Sequence, residues 1–175
     1  IDPVRVIANR SSGRQGFAIA TAAADAGARV SLIAGPVALH TPEGVDRIDV
    51  ETAEQMADAV MAALPPDCAI MVAAVGDWRV AASPTKLKKG DGPPKLKFVA
   101  TRDILAEVSS HELRPRLVIG FAAETDNVVE NAIAKQIGKR ADWIVANDVS
   151  GDVMGGHRNR VHLVMADRIE DWPEE

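Results

Sequence analysis

A single cysteine, Cys68, stands among the 175 residues. That scarcity excludes an internal disulfide, a CxxC redox pair and a cysteine-zinc cluster. The four histidines, His40, His111, His157 and His162, show no HxxH or HExxH spacing and read as surface or outer-strand residues. GxSxG is missing, and no Ser, Cys or Lys sits in a recognisable nucleophilic triad motif. No apolar run approaches the length of a membrane span, and the N-terminus lacks the pattern of a signal peptide. Basic charge is not in excess either: 20 Lys and Arg face 25 Asp and Glu, a net charge of −5. Such a balance argues against a general nucleic-acid binder, although a local basic groove can survive it. The expectation is a soluble, cytoplasmic domain with neither nucleic-acid nor membrane partners. Cys68, beside an apolar run, is expected to be buried and inert.

What is present suits one domain. Hydrophobic residues make up 47% and charged residues 26%, enough apolar material for a core without covalent staples. Residues 16–27 are mostly small and apolar and read as a helix, with Gly27 as its C-terminal cap. Residues 28–34 hold a strand closed by Gly35-Pro36, and 46–50 a shorter one. Thr52 and Gln55 form a capping box, followed by Met56, Val60, Met61 and Leu64 at helical spacing up to Pro65-Pro66. Residues 69–75 are apolar throughout, as expected of a strand in the middle of a parallel sheet.

Residues 78–98 break the alternation. Pro84, Gly90, Gly92, Pro93 and Pro94 punctuate a run holding Lys86, Lys88, Lys89, Lys95 and Lys97, too polar for core and long for a simple connection. It reads as an excursion serving as a lid, an arm on a partner subunit, or both. The pattern then resumes. Thr101 is placed to cap a short helix through about 109, and residues 117–121 form a buried strand. A helix over 127–139 turns Val128, Ile133 and Ile137 to the core. A strand follows at 143–146, a glycine-bearing loop at 150–159 and an outer strand at 160–165. Repeated β-α-β units predict a three-layer α/β, Rossmann-like domain with a mostly parallel sheet. The chain opens at Ile1-Asp2-Pro3 and closes on Asp171-Trp172-Pro173 without a final element. It reads as a single domain over 1–175, truncated at both ends.

Chemistry gathers at the predicted strand ends. Ser11, Ser12, Gly13 and Gly16 precede the first helix, where small residues permit either close helix–sheet packing or approach to a phosphate. The G-x-G-x-x-G fingerprint is not there, and Gly35-Pro36 replace the acid that would hold a ribose, which disfavours NAD. Asn9 either caps a turn or orients a carbonyl or carboxylate through its amide. Arg10 and Arg14 flank that loop as phosphate ligands or solvated surface. Asp77 closes the apolar strand, as an Asx-turn or as a ligand for ribose, amide or hydrated Mg²⁺. Lys86, Lys88 and Lys89 form a solvated loop or a cationic lid over a polyphosphate. Residues 121–125 and Asn147-Asp148 follow the next two strands, so with Asp77 three strand ends finish in loops that converge on one face of the sheet.

In order and spacing, several of these pieces resemble the phosphopantothenoylcysteine synthetase family. They are Asp2-Pro3-Val4-Arg5, Asn9-Arg10-Ser11-Ser12-Gly13, Gly16, Ala73-Ala74-Val75-Gly76-Asp77, Lys86-Leu87-Lys88-Lys89, Gly120 through Thr125, and Val145-Ala146-Asn147-Asp148-Val149. The resemblance covers essentially the whole chain. It implies a Rossmann-like ligase, of the kind often fused to a flavin-dependent decarboxylase in coenzyme A biosynthesis. Such an enzyme activates 4′-phosphopantothenate with CTP and Mg²⁺, releases pyrophosphate, and lets L-cysteine displace CMP from the acyl-cytidylate. It further implies a homodimer with shared sites, the excursion helping to form it, and no flavin bound by these residues. By the same resemblance Asn9 and Lys86 are catalytic, Asn9 in converting the intermediate and Lys86 in forming it. Ser12, Gly13, Ala73, Asp77, Lys86, Phe121, Lys135 and Lys139 would bind the nucleotide, with Phe121 at the cytosine and Lys139 at phosphate. Arg5, Asn9, Ala74 and Asp77 would bind the pantothenate substrate, Arg5 reaching a partner's substrate phosphate.

Some positions depart from the family pattern. Gly76 replaces a usual Ala, and Thr101-Arg102-Asp103-Ile104-Leu105 stands for Asn-Pro-Asp-Ile-Leu. The family's first strand with its Gly-Pro-Thr loop would precede Ile1, and a last helix would follow Glu175. A second expectation stays open beside the ligase: a nucleotide-binding structural or sensing module without turnover. An oxidoreductase, to be revived only by NAD(P)H binding, comes third.

Overall fold

The computed structural model describes residues 1–9, 11–89, 92–149 and 161–172. Arg10, the loop expected at 150–159, the start of the strand at 160 and Gly90 in the excursion lie outside the described residues. Four helices are described: α1 (Arg14–Asp25), α2 (Ala53–Ala62), α3 (Ile104–Ser110) and α4 (Val128–Lys139). The strands are β1 (Val30–Ala34), β2 (Val45–Asp49), β3 (Cys68–Met71), β4 (Trp78–Val80), β5 (Phe98–Ala100), β6 (Leu117–Glu124), β7 (Trp143–Asp148), β8 (Val161–Met165) and β9 (Ile169–Trp172). A five-stranded sheet runs β3-β6-β7-β8-β9, and β1 pairs with β2 in a parallel ladder of its own. The pairings β3–β6 and β6–β7 are parallel, while β7–β8 and β8–β9 are antiparallel. Among the described helices none is long and apolar enough to cross a membrane.

Local chemistry sets the helix ends. Thr52 Oγ1 accepts from the Gln55 N–H at 3.2 Å, and the Gln55 side chain accepts from the Thr52 N–H at 3.1 Å, completing the expected capping box. Gly27, at φ 86°, follows α1, and the next N–H, of Ala28, closes on the Ala23 carbonyl at 3.0 Å. Thr101 does not cap α3 as expected. Its hydroxyl donates instead to the Gly76 carbonyl at 2.5 Å, and Asp103 caps the helix by accepting from the Ala106 N–H at 3.1 Å. A carboxylate two residues closer to the helix satisfies the orphan donor better than Thr101, whose hydroxyl a tertiary contact already uses.

Strand alternation then builds three layers. Val118 and Ala122 of β6 pack into clusters with Val108 of α3 and Ala132 of α4. Met56 and Ala57 of α2 join the first cluster, and Ile144 and Ala146 of β7 the second. Asn147 points the other way in β7, and its amide donates to Gln15 Oε1 of α1 at 3.1 Å. Also on that side, Phe17 of α1 carries the Arg47 guanidinium 5.2 Å from its ring centre. Gly120 is small for a reason: a Cβ there would stand 2.7 Å from both Leu105 Cδ2 and Ile144 Cδ1.

Four expectations are corrected. The apolar run 69–75 is not a central strand. β3 stops at Met71 and pairs only with β6 among the described strands, leaving Ile70 38% exposed. Beyond Met71 the chain turns out of the ladder, the Val75 N–H reaching the Ala73 carbonyl at 2.9 Å. Cys68 is exposed at the start of β3, where an edge strand offers little cover. Partial burial and the Asp142 charge nevertheless push its thiol up, which disfavours the thiolate. β8 is not outermost, because β9, a strand with no signal in the sequence, lies beyond it. Ile137 faces out at 71% exposure, and Gln136 takes the buried place, its amide donating to the Asp142 carbonyl at 2.8 Å.

Overpacking tests the closest approach of helix to sheet. Gly120→Val is expected to lower the unfolding free energy by about 1–3 kcal/mol, seen as an earlier urea midpoint. An unchanged midpoint would mean that Leu105 and Ile144 yield freely.

Candidate functional site at the strand ends

Parallel pairing of β3, β6 and β7 brings three loops to one edge of the sheet, at the C-terminal ends of those strands. The N-terminal segment joins them there. Asn9 donates through Nδ2 to the Ala74 carbonyl at 3.1 Å, and a Cβ on Gly76 would lie 3.8 Å from Asn9 Oδ1. Ala73, Ala74 and Asn9 are exposed, so this contact sits at an open surface. The Gly76 carbonyl is held by Thr101, and the Asp77 carbonyl accepts from the Thr101 N–H at 3.0 Å. The Asp77 backbone is thereby fixed, while its carboxylate is exposed and unpartnered among the described residues.

Gly13 caps α1 at φ 73°, a conformation that glycine adopts without cost. A Cβ there would also press on Val37 Cγ1 at 3.0 Å. Ser12 Oγ accepts from the Arg14 N–H at 3.4 Å, a long contact, and Arg14 opens the helix. Gly16, one turn in, sets α1 close to Val72, just past β3. The small residues thus serve close packing of α1 onto the strand ends.

On the other side of the sheet α4 supplies cations. Lys135 donates from Nζ to the Phe121 carbonyl at 2.7 Å, which ties it to β6 next to Gly120. Lys139 pairs with Asp103, the cap of α3. Burial alone would raise the Asp103 carboxyl. The hydrogen bonds from Lys139 and the Ala106 N–H, with the charges of Lys139 and Lys135, outweigh it and hold the group below its ordinary value. Asp103 therefore stays ionised at neutral pH and fixes the Lys139 ammonium at the start of α3. Lys86 stands in the excursion, exposed and with no partner for its side chain among the described residues. Arg5 lies apart from Asn9, bound to Asp2 at 2.5 Å and to the Leu87 carbonyl at 3.0 Å.

The structure thus joins Asn9, Ala73, Ala74 and Asp77 in one cluster, and Phe121, Lys135 and Lys139 in a second. Arg5 and Lys86 share a third with the excursion. Sequence reasoning gave no weight to Asp103 as a partner for Lys139 or to Thr101 as the anchor of Gly76. Neither contact has a sequence signal, since each joins residues far apart in the chain. Among the described residues no group of three or more His, Cys, Asp and Glu is arranged to hold a metal ion.

Helices packed on both faces of a sheet whose strands β3, β6 and β7 run parallel, with small-residue turns beside their ends, define a Rossmann-like α/β domain. The whole chain, residues 1–175, matches the family model for the DNA/pantothenate metabolism flavoprotein C-terminal domain, and it belongs to that family. It is 47% identical over 183 residues to the coenzyme A biosynthesis bifunctional protein CoaBC of Escherichia coli strain K12, covering 100% of this chain and 45% of that protein. CoaBC of Vibrio parahaemolyticus is 45% identical over 99% of this chain and 43% of its own length. The chain thus spans less than half the length of these relatives. The crystal structure of the C-terminal domain of CoaBC superposes with a TM-score of 0.83 at 37% identity, covering 99% of this chain and 79% of that one.

A carboxylate held below its ordinary value adds stability above the unfolded-state value, and that contribution is lost as pH falls through the folded-state value. Asp103→Asn is expected to unfold at lower urea than the parent at neutral pH. The gap should close below about pH 4, the unfolded carboxylate value. A gap that stays constant down to about pH 3 would show that the Lys139 pair contributes nothing through charge.

Proposed function

We propose that this domain is the CTP-dependent phosphopantothenate–cysteine ligase module of a longer bifunctional protein, fused to a flavin-dependent decarboxylase and working as a homodimer. The observation that carries the reading is the Asn9–Ala74 hydrogen bond. It sets an amide with free donor and acceptor capacity beside the exposed Asp77 and the small-residue loop at 73–76. Membership of the family supports the chemistry.

The first half-reaction joins the phosphopantothenate carboxylate to the α-phosphorus of CTP and expels pyrophosphate. Charge shifts onto the leaving phosphates, and a cation near them lowers the barrier. Lys86 is free to swing into that position, while Lys139 and Lys135 are held on the nucleotide side by Asp103 and the Phe121 carbonyl. Phe121 itself lines the cytosine pocket, and Ser12, Gly13 and Ala73 border the phosphates. In the second half the cysteine amine attacks the acyl carbonyl, CMP leaves with the bonding pair, and the amine loses a proton. Asn9 holds the carbonyl in line for that attack, with Ala74 and Asp77 against the pantothenate chain. Mg²⁺ would travel with the triphosphate, which supplies most of its oxygens. The exposed Asp77 carboxylate fits as a single protein ligand, direct or through water. When bound, the ion offsets phosphate charge.

Several features favour self-association through the excursion. β4 and β5 pair as an antiparallel ribbon carrying Trp78 at 63% and Phe98 at 53% exposure. Val4, Val6 and Ile7 add further exposed apolar surface on the N-terminal segment.

The two half-reactions separate the roles. In the full-length protein Lys86→Ala should slow CTP-dependent pyrophosphate release by about 100-fold. Asn9→Ala should leave that release largely intact and slow cysteine-dependent product formation by about 100-fold. Equal loss of both steps in both variants would sink the assignment of roles. Saturable CTP binding by calorimetry without any turnover would favour the nucleotide-binding module over the ligase.

Trp78→Asp is expected to shift the protein from dimer to monomer in sedimentation. An unaltered dimer would place the contact elsewhere.

A further inference from the structure

We propose that Asp2 is a positioning residue of this site, a buried clasp that sets Arg5 and the loop carrying Lys86 as one unit. What the unit serves rests on the ligase reading above; the clasp itself rests on geometry. Asp2 is only 6% exposed, and its carboxylate accepts five hydrogen bonds. Oδ1 takes the N–H groups of Val4 and Arg5, each at 3.0 Å. Oδ2 takes Arg5 Nε at 3.0 Å, Arg5 Nη2 at 2.5 Å and the Leu87 N–H at 3.1 Å. Four of these donors are local and close a turn at the chain start. The fifth comes from 85 residues away.

The Leu87 peptide is gripped on both sides. Asp2 holds its N–H, and Arg5 Nη2 donates to its carbonyl at 3.0 Å. The Ser83 N–H adds a further tie to the Ile1 carbonyl at 2.8 Å. Lys86 lies between these fixed points, so its backbone is tethered while its ammonium is free to move. Burying a carboxylate is costly unless it is paired and fully hydrogen-bonded, and here both conditions are met. The Arg5 guanidinium beside it holds the carboxyl well below the usual carboxylate range, so the clasp is ionised at neutral pH. Arg5 is oriented in turn: Nε and Nη2 are used inward, and Nη1 has no partner among the described residues. That leaves a guanidinium edge for an anion.

Hydrogen exchange and kinetics on the full-length protein test the clasp together. Asp2→Asn removes the charge and turns one acceptor into a donor facing N–H groups. Amides of residues 83–89 are expected to exchange about tenfold faster, while those of 117–124 keep the parent rate. In the same variant kcat should fall about tenfold and KM for phosphopantothenate rise about fivefold, through displaced Lys86 and Arg5. Asp2→Glu keeps the charge at a longer reach and should recover part of each effect; if Asp2→Asn does not fold, Asp2→Glu decides alone. Parent-like exchange at 83–89 would overturn the proposal, as would faster exchange with unchanged kcat and KM. The unaltered protein is assayed in parallel. Absence of CTP-dependent product there removes the ligase reading, and the exchange rates then judge the clasp by themselves.

Discussion

The absence of a side chain at Gly120 sets how close α3 and β7 come to the middle of β6, since Leu105 and Ile144 fill the space a Cβ would need. That closeness has consequences at the next residue of the same strand. α3 brings its cap, Asp103, within reach of Lys139, and α4 lies near enough for Lys135 to bond the Phe121 carbonyl. A bulkier residue at 120 would press on Leu105 of α3, the helix whose cap Asp103 pairs with Lys139. Packing and electrostatics are thus one problem here: the apolar contact fixes the distance at which the ion pair forms.

How much of this was legible in the sequence differs by kind of interaction. Contacts within a few residues were readable, because their partners are named by spacing alone. Thr52 and Gln55 gave their capping box away, and Gly27 its place after α1. Long apolar runs were less informative. The stretch 69–75 has the composition of a buried strand, yet only Cys68–Met71 joins the sheet. The remainder leaves the ladder to carry Ala74 to Asn9, and composition does not tell a buried strand from an apolar loop that stays partly exposed. β9 was missed for the opposite reason, since Ile169–Trp172 is short, mixed in polarity and exposed on most of its length. The misplacement of Ile137 shows the limit of helical spacing, because α4 buries Gln136 through a hydrogen bond to the Asp142 carbonyl.

For the site, residue types and their order pointed to the strand ends, and the family resemblance pointed to particular residues. Neither could pair them. Asn9 with Ala74, Thr101 with Gly76, Lys139 with Asp103 and Leu87 with Asp2 all join segments far apart in the chain. Two of these residues looked able to serve a purely local role, Asn9 as a turn cap and Thr101 as a helix cap. Tertiary structure chose the distant partner because it satisfies two groups at once. Thr101, for example, uses its hydroxyl and its N–H on the carbonyls of Gly76 and Asp77, something no local cap provides.

These pairings divide the site into fixed and free parts. Main-chain atoms of 74, 76, 77 and 87 are held by hydrogen bonds, as are the side chains of Lys135, Lys139 and Arg5. The side chains of Asp77 and Lys86 are left unengaged among the described residues. On the proposed ligase reading, a polyanion entering the site would meet charges whose positions are already set on α4. It can still recruit Lys86, whose backbone is anchored, without ordering the whole excursion. Preorganisation of this kind lowers the entropy lost on binding, and it confines the motion needed for closure to one side chain and the loop beyond it. The same division explains why net charge says so little about this protein. Acids that count toward the net charge act here as holders of particular cations, as Asp103 does for Lys139 and Asp2 does for Arg5.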